Sequence, residues 1–218
     1  MQKISKKSIP NILTIIRIIF AILAILFACL YGIKDTIFYR SLYKYSLLGV
    51  ELNIPIAYVI TGCIFTIASA TDWLDGYLAR KYNWISDFGK LWDPIADKIL
   101  VDGILIVLAI NHSIPVFVPI VMICRDIVVD AMRMYASSKG IVVAANVWGK
   151  LKTIIQMVAI ITTLFAFGIF PSDIESKYLY VFYVINSLHL IACVFSITSG
   201  IIYGLNINKE VKETNAKK

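Results

Sequence analysis

The chain has 218 residues, of which AVILMFWYC make up 59% and DEKR 16%, with a formal net charge of +7 and a mean hydropathy of +0.80. A soluble domain is about 45–50% apolar even with Gly counted and about 25% charged, so soluble-globule, disordered, collagen-like and disulfide-scaffold classes are excluded. An all-α integral membrane protein is expected: one helical span takes about 20 residues, which allows roughly six spans and no large soluble domain.

In chain order, residues 1–10 read as a basic juxtamembrane segment with no small-residue cleavage site, so no removable signal peptide is expected. The first apolar run is Asn11–Tyr31, followed by a mixed loop, Gly32–Asn53. The second is Pro55–Ala70, whose helix continues through Thr71–Lys81, and the third is Leu91–Ile110. His112-Ser113-Ile114-Pro115 predicts a tight turn before a fourth run, Val116–Tyr135. A polar break at Ser137–Val147 precedes the fifth run, Thr153–Phe170, which Pro171-Ser172-Asp173 stops; the sixth is Leu179–Leu205. Only helices and closed barrels satisfy their backbone in lipid, and these runs are too long and continuous for barrel strands. The organisation expected is one six-helix domain over residues 11–206 and a polar basic tail over 207–218.

With the N-terminus in the cytoplasm, all of the 21 Lys and Arg except Lys34, Arg40, Lys44 and Lys177 fall on or near the cytoplasmic side. The positive-inside rule therefore predicts a multi-pass membrane protein with both termini cytoplasmic. The basic charge suits anionic lipid and phosphate-bearing substrates rather than nucleic acid. Cys29, Cys63, Cys124 and Cys193 sit in apolar stretches without a CxxC, and His112 and His189 are isolated, so neither a disulfide framework nor a His/Cys metal site is expected.

The anomaly lies in Thr71–Leu100, TDWLDGYLARKYNWISDFGKLWDPIADKIL. Carboxylates at membrane depth are costly and mark functional sites. Asp72 and Asp75 are i, i+3 and Asp93 and Asp97 are i, i+4, so each pair shares a helical face. The short connection lets the two pairs converge at the cytoplasmic ends of two helices. Four converging carboxylates need positive charge, and two hard divalent cations, Mg²⁺ or Mn²⁺, supply it. Gly76 and Gly89 clear space for a ligand or another helix. Interface aspartates paired with Arg80, Lys81 and Lys90 are the plainer reading of each residue alone.

The combined spacing, D-x2-D-G-x2-A-R-x8-G-x3-D-x3-D, is carried by Asp72, Asp75, Gly76, Ala79, Arg80, Gly89, Asp93 and Asp97. It resembles the signature of the CDP-alcohol phosphotransferase family at all eight positions. The resemblance implies six transmembrane helices, a usually dimeric enzyme and transfer of a phosphatidyl or similar group from a CDP-linked donor to an alcohol with release of CMP. It further implies that Asp72, Asp75 and Asp93 hold the metals, and that Asp97 is both near them and the general base. The stretch around Gly76, Ala79 and Arg80, with Ser86, serves the CDP part of the donor. The chemistry agrees, because two metals can polarise a diphosphate, an aspartate can accept the acceptor's proton, and an arginine fork can grip phosphate oxygens.

Three further stretches narrow the expectation. Ile9-Pro10-Asn11-Ile12-Leu13-Thr14-Ile15-Ile16-Arg17 is a helix-start pattern. It also looks like the IPNxLTxxR opening of bacterial phosphatidylglycerophosphate synthases, which implies that Asn11 and Thr14 help bind CDP-diacylglycerol. Arg125 and Arg133 share a face of the fourth run, which also carries Asp126 and Asp130; ion pairing within the helix is the structural alternative. Gly149-Lys150-Leu151-Lys152-Thr153 looks like the GKxKT of the same enzymes, while topology signals and snorkelling anchors are the alternative. Together Arg125, Arg133, Lys150 and Lys152 make a basic pocket facing the aspartates, wanted only if the acceptor alcohol carries its own phosphate, as glycerol 3-phosphate does. The expected enzyme is a homodimer that makes phosphatidylglycerophosphate in phospholipid biosynthesis. A phosphatidylinositol-phosphate synthase or cardiolipin synthase of the same family is the nearest alternative, and a divalent cation transporter the non-enzyme one. Transport predicts acidic residues along several helices, whereas beyond the four motif aspartates only Asp102 lies deeper in the third helix.

Overall fold

In the computed structural model the described residues are 9–31, 36–47, 49–82, 87–141, 147–168 and 179–216. They form helices α1 (Ile9–Leu30), α2 (Ile56–Tyr82), α3 (Asp87–Ile110), α4 (Phe117–Ser138), α5 (Val147–Thr162), α6 (Leu179–Ile185) and α7 (Ser187–Ala216), with one hairpin, β1 (Ser41–Leu47) and β2 (Val50–Pro55). The chain is thus mostly helical. Three stretches, Ile12–Leu30, Val147–Phe167 and Ser187–Glu213, are long and apolar enough to cross a membrane, and Ile56–Asp72 is a shorter apolar helix. The stretches read as the third and fourth runs are helical as expected, at 24 and 22 residues. They fall short of the apolar criterion because α3 carries Asp93, Asp97, Lys98 and Asp102, and α4 carries Arg125, Asp126, Asp130 and Arg133.

α1 packs on α2 and α3, while α7 packs on α4 and α5. Lipid gives helices no hydrophobic drive to associate, so close approach through small residues sets the packing. Ala21, Ala24 and Ala28 form a fully buried face of α1, and Thr61 donates a hydrogen bond to the Ala24 carbonyl at 3.3 Å. A Cβ at Gly62 would stand 2.7 Å from the Phe165 ring, and one at Gly103 would collide with Ile25. The turn before α4 is as tight as expected: His112 has φ 57, Ser113 N–H reaches the Leu108 carbonyl at 2.8 Å, and the Tyr58 and Ser113 hydroxyls bond at 2.7 Å.

Four features differ from the sequence reading. The mixed loop holds an antiparallel hairpin. Its Val50-Glu51-Leu52-Asn53-Ile54 alternates apolar and polar residues, the strand period, and Gly49 at φ 85 makes the turn. Val50 and Leu52 bury against Val181 and Ile185 of α6, and Tyr45 donates to the Ala166 carbonyl. Second, α5 begins at Val147, two residues before the Gly149–Thr153 stretch expected to open it, and it ends in a π-helical turn, Thr163–Phe167. Third, Asn186 interrupts the sixth run, although Asn186 N–H to Phe182 and Leu190 N–H to Asn186 carry the bonding across. Fourth, α7 runs on to Ala216 through most of the expected polar tail.

Candidate active site

The N-terminal half of α1, the C-terminal half of α2, the N-terminal halves of α3 and α5, the middle and C-terminal part of α4, and α7 supply the polar side chains. Two clusters result. In the first, Arg17 of α1 is 2% exposed and its guanidinium gathers carboxylates from two other helices. Nη2 lies 2.7 Å from Asp72 Oδ1, and Nη1 lies 3.4 Å from Asp93 Oδ1 and 3.9 Å from Asp97 Oδ1. Thr14, one turn earlier and 1% exposed, donates to Asp93 Oδ1 at 2.6 Å. Pro94 inside α3 lacks an N–H, which removes one backbone bond from the turn carrying Asp93.

The predicted convergence of the two helices is therefore seen for Asp72, Asp93 and Asp97. Asp75, Gly76, Ala79 and Arg80 lie on α2 and Asn11 on α1, with their side chains outside the described residues, and Ser86 lies outside the described residues altogether. Among the described residues, three carboxylates face one guanidinium, and all three remain half-exposed. Each meets Arg17 through Oδ1. The oxygen donors are of the hard type that Mg²⁺ or Mn²⁺ take, but among the described residues, which exclude the Asp75 side chain, no three carboxylates stand close enough together to hold an ion.

The second cluster joins α4, α5 and α7. Arg125 makes three directed contacts: Nε to the Ser196 carbonyl at 3.0 Å, Nη2 to Ser199 Oγ at 2.7 Å and Nη1 to Asp126 Oδ1 at 2.8 Å. A Cβ at Gly200 would stand 3.4 Å from Arg125 Cγ, so glycine there lets α7 come close to the arginine stem. Lys152 of α5 is buried and donates to Asp126 at 2.8 and 3.1 Å. Nearby Lys98 pairs with Asp130. Asp130 also lies 3.9 Å from Arg133, which stays 60% exposed and whose guanidinium carbon lies 5.9 Å from the Tyr203 ring centroid.

Two cavities open on these groups. One of about 280 Å³ is lined by Asp97, Lys98, Asp102, Arg125, Arg133 and Lys152, among others. The other, of about 220 Å³, is lined by Arg125, Arg133, Lys150, Thr153, Ser199 and Tyr203, with no acidic side chain in its wall among the described residues. They share Arg125, Val129, Arg133 and Thr153. The four cations expected to face the aspartates thus meet across these cavities, and Asp97 belongs both to the Arg17 cluster and to the wall of the larger cavity. The expected pocket differs in one respect: the larger cavity is charge-mixed, because Asp126 sits between Arg125 and Lys152.

A family model for CDP-alcohol phosphatidyltransferases matches residues 7–198. The chain belongs to this family. One relative, the CDP-diacylglycerol–glycerol-3-phosphate 3-phosphatidyltransferase of Mycoplasma genitalium, is 42% identical over 214 residues, covering 97% of this chain and 89% of the relative. The protein of the same name from Mycoplasma pneumoniae is 37% identical over 210 residues, 95% of this chain and 90% of its own. That of Bacillus subtilis is 45% identical over 108 residues, 50% of this chain and 56% of its own.

Several residues of this family member's site escape sequence reading. Arg17 is visible as the last residue of the opening motif, yet nothing in the spacing announces that it reaches three aspartates 55 to 80 positions away. Asp126 reads as the partner of a neighbour in its own helix, and only the packing of α5 on α7 beside α4 gives it Lys152. Gln156, one turn beyond Lys152, is an isolated polar residue in an apolar run, and no sequence signal separates it from a solvated one.

Proposed function

We propose that this chain transfers the phosphatidyl group of CDP-diacylglycerol to glycerol 3-phosphate, releasing CMP, as a step of phospholipid biosynthesis in a bacterial cytoplasmic membrane. One observation carries the reading: an acid-rich cluster meets a charge-mixed cavity at Asp97, and that cavity shares Arg125 and Arg133 with a second one lined by Arg125, Arg133 and Lys150. A CDP-linked donor needs cations at its diphosphate; a phosphorylated acceptor needs cations of its own a short distance away. An acceptor such as choline or diacylglycerol would leave the second set without a purpose. The relatives' names point to the same pair of substrates.

In this reading CDP-diacylglycerol is held by Asn11, Thr14, Asp72, Asp75, Gly76, Ala79, Arg80 and Ser86, with Thr14 acting through its bond to Asp93. Asp72, Asp75, Asp93 and Asp97 would hold two divalent cations, Mg²⁺ or Mn²⁺, which when bound would supply the positive charge that a diphosphate and a departing CMP need. Arg125, Arg133, Lys150 and Lys152 take the phosphate of glycerol 3-phosphate. The terminal hydroxyl of the acceptor attacks the phosphatidyl phosphorus, a new P–O bond forms, and the bond from that phosphorus to the CMP oxygen breaks with its electron pair leaving on CMP. Asp97 accepts the hydroxyl proton. α1 to α5 and the α6–α7 pair form six spans with both termini and the site on the cytoplasmic side, and a homodimer belongs to the same reading.

An acceptor panel tests this: purified protein in detergent with CDP-diacylglycerol, Mg²⁺ and each candidate alcohol, with CMP measured. Glycerol 3-phosphate should give the fastest release. Equal rates with inositol phosphate would move the assignment to a phosphatidylinositol-phosphate synthase, preference for phosphatidylglycerol to a cardiolipin synthase, and no CMP with any alcohol would favour a cation transporter.

A further inference from the structure

The cavity that carries the acceptor reading extends past the residues used so far. Gln156 of α5 lies one turn deeper than Lys152, lines the 280 Å³ cavity and is 2% exposed. Its amide nitrogen has no hydrogen-bond partner among the described residues. Asp102 of α3, one turn beyond Lys98, lines the same cavity and makes no hydrogen bond or ion pair among the described residues. Of the other charged groups of the wall, Arg125 and Lys152 also pair with Asp126, Lys98 and Arg133 with Asp130, and Asp97 with Arg17. Buried polar groups are bonded in native proteins, and an orphan points to a ligand or a water. Gln156 and Asp102 thus bring one amide donor, closed off from the cavity until its side chain turns, and one carboxylate acceptor to the lining, a pair that matches a hydroxyl, which both accepts and donates.

Glycerol 3-phosphate has three polar parts. Its phosphate and its reacting terminal hydroxyl are already provided for by the basic residues and Asp97. We propose that Gln156, with Asp102, binds the remaining middle hydroxyl and so is a specificity-determining residue for the acceptor. This rests on the reading given under Proposed function. A site built to hydrogen-bond a hydroxyl rejects the analogue that lacks it, since its polar groups are then left buried and unpaired.

The test uses 3-hydroxypropyl phosphate, which keeps the phosphate and the terminal hydroxyl but lacks the middle one. Full-length protein in detergent is assayed for CMP release with CDP-diacylglycerol, Mg²⁺ and either acceptor. The wild type should favour glycerol 3-phosphate in kcat/KM by about 10²-fold. Gln156→Leu should lose most of the rate with glycerol 3-phosphate and little with the analogue, bringing the two within about threefold, with the KM for CDP-diacylglycerol unchanged. Gln156→Glu, nearly isosteric but lacking the donor, should lose the same preference and serves if the leucine variant fails to fold. Equal loss with both acceptors would assign Gln156 a structural role and overturn the proposal, as would a wild type that does not discriminate. Turnover of glycerol 3-phosphate with the preference intact in both variants sinks this inference alone. A wild type silent with both acceptors sinks the phosphotransfer reading along with it.

Discussion

The two polar clusters are near inversions of one another. Around Arg17, three carboxylates from α2 and α3 share one guanidinium; around Asp126, an arginine and a lysine from α4 and α5 share one carboxylate. Each is incomplete in charge, in opposite senses. Desolvated charge is expensive unless it is paired, so the first cluster calls for cations and the second for an anion. A fold that sets an acid-rich cavity edge beside a base-rich one can hold two phosphate-bearing substrates without mixing their sites.

The comparison breaks most completely at Asp97, where the two clusters meet. Asp97→Asn should slow CMP release by about 10²-fold or more while CDP-diacylglycerol binding persists, as general-base removal does. Equal loss of donor binding would make Asp97 a metal ligand alone. Asp93→Asn should abolish turnover in a folded protein, and near-normal rates at saturating Mg²⁺ would discredit the dimetal assignment.

Arg17→Gln comes next. It removes the guanidinium that three half-exposed carboxylates share among the described residues and should cost about 1–3 kcal/mol, the usual size of a lost bond between charged groups. The apparent melting temperature in detergent with EDTA should fall, and Mg²⁺ should restore part of it. A variant that melts with the wild type in EDTA would show that Arg17 does not hold the cluster together.

The base-rich side responds differently. Arg133→Ala should raise the KM for glycerol 3-phosphate by about 10- to 10²-fold, the size of a lost bond between charged groups, and leave the melting temperature alone because Arg133 is largely exposed. Lys152→Ala should raise the same KM and also lower the melting temperature, since Lys152 is buried against Asp126. If either variant weakened donor binding instead, these cations would belong to the CDP-lipid head group. The smallest effect is expected at Thr14→Val, which removes one hydrogen bond to Asp93. It should cost about 1 kcal/mol, read as a several-fold rise in the Mg²⁺ needed for half-maximal rate.

The aspartates are legible in the sequence because their chemistry fixes local spacing. Asp72 with Asp75 and Asp93 with Asp97 are intrahelical repeats, and carboxylates on apolar helices stand out against their background. The helices are legible for the same reason, as long apolar runs. The hairpin is also written in the alternation of Val50 to Ile54, but one short strand is a weak signal without its partner, so the segment reads as loop. What the sequence by itself determined, then, are the features whose cause lies within a few turns of one helix: the spans, the paired carboxylates and the basic opening of α5. The tertiary structure alone decided which charges neutralise one another. Arg17 reaches Asp72 and Asp97 because small residues draw α1 close to α2 and α3. Lys152 reaches Asp126, and the Gln156 amide nitrogen has no partner among the described residues, because α5 packs on α7 beside α4. Contacts between distant helices depend on crossing and depth, and no local pattern of residues encodes either.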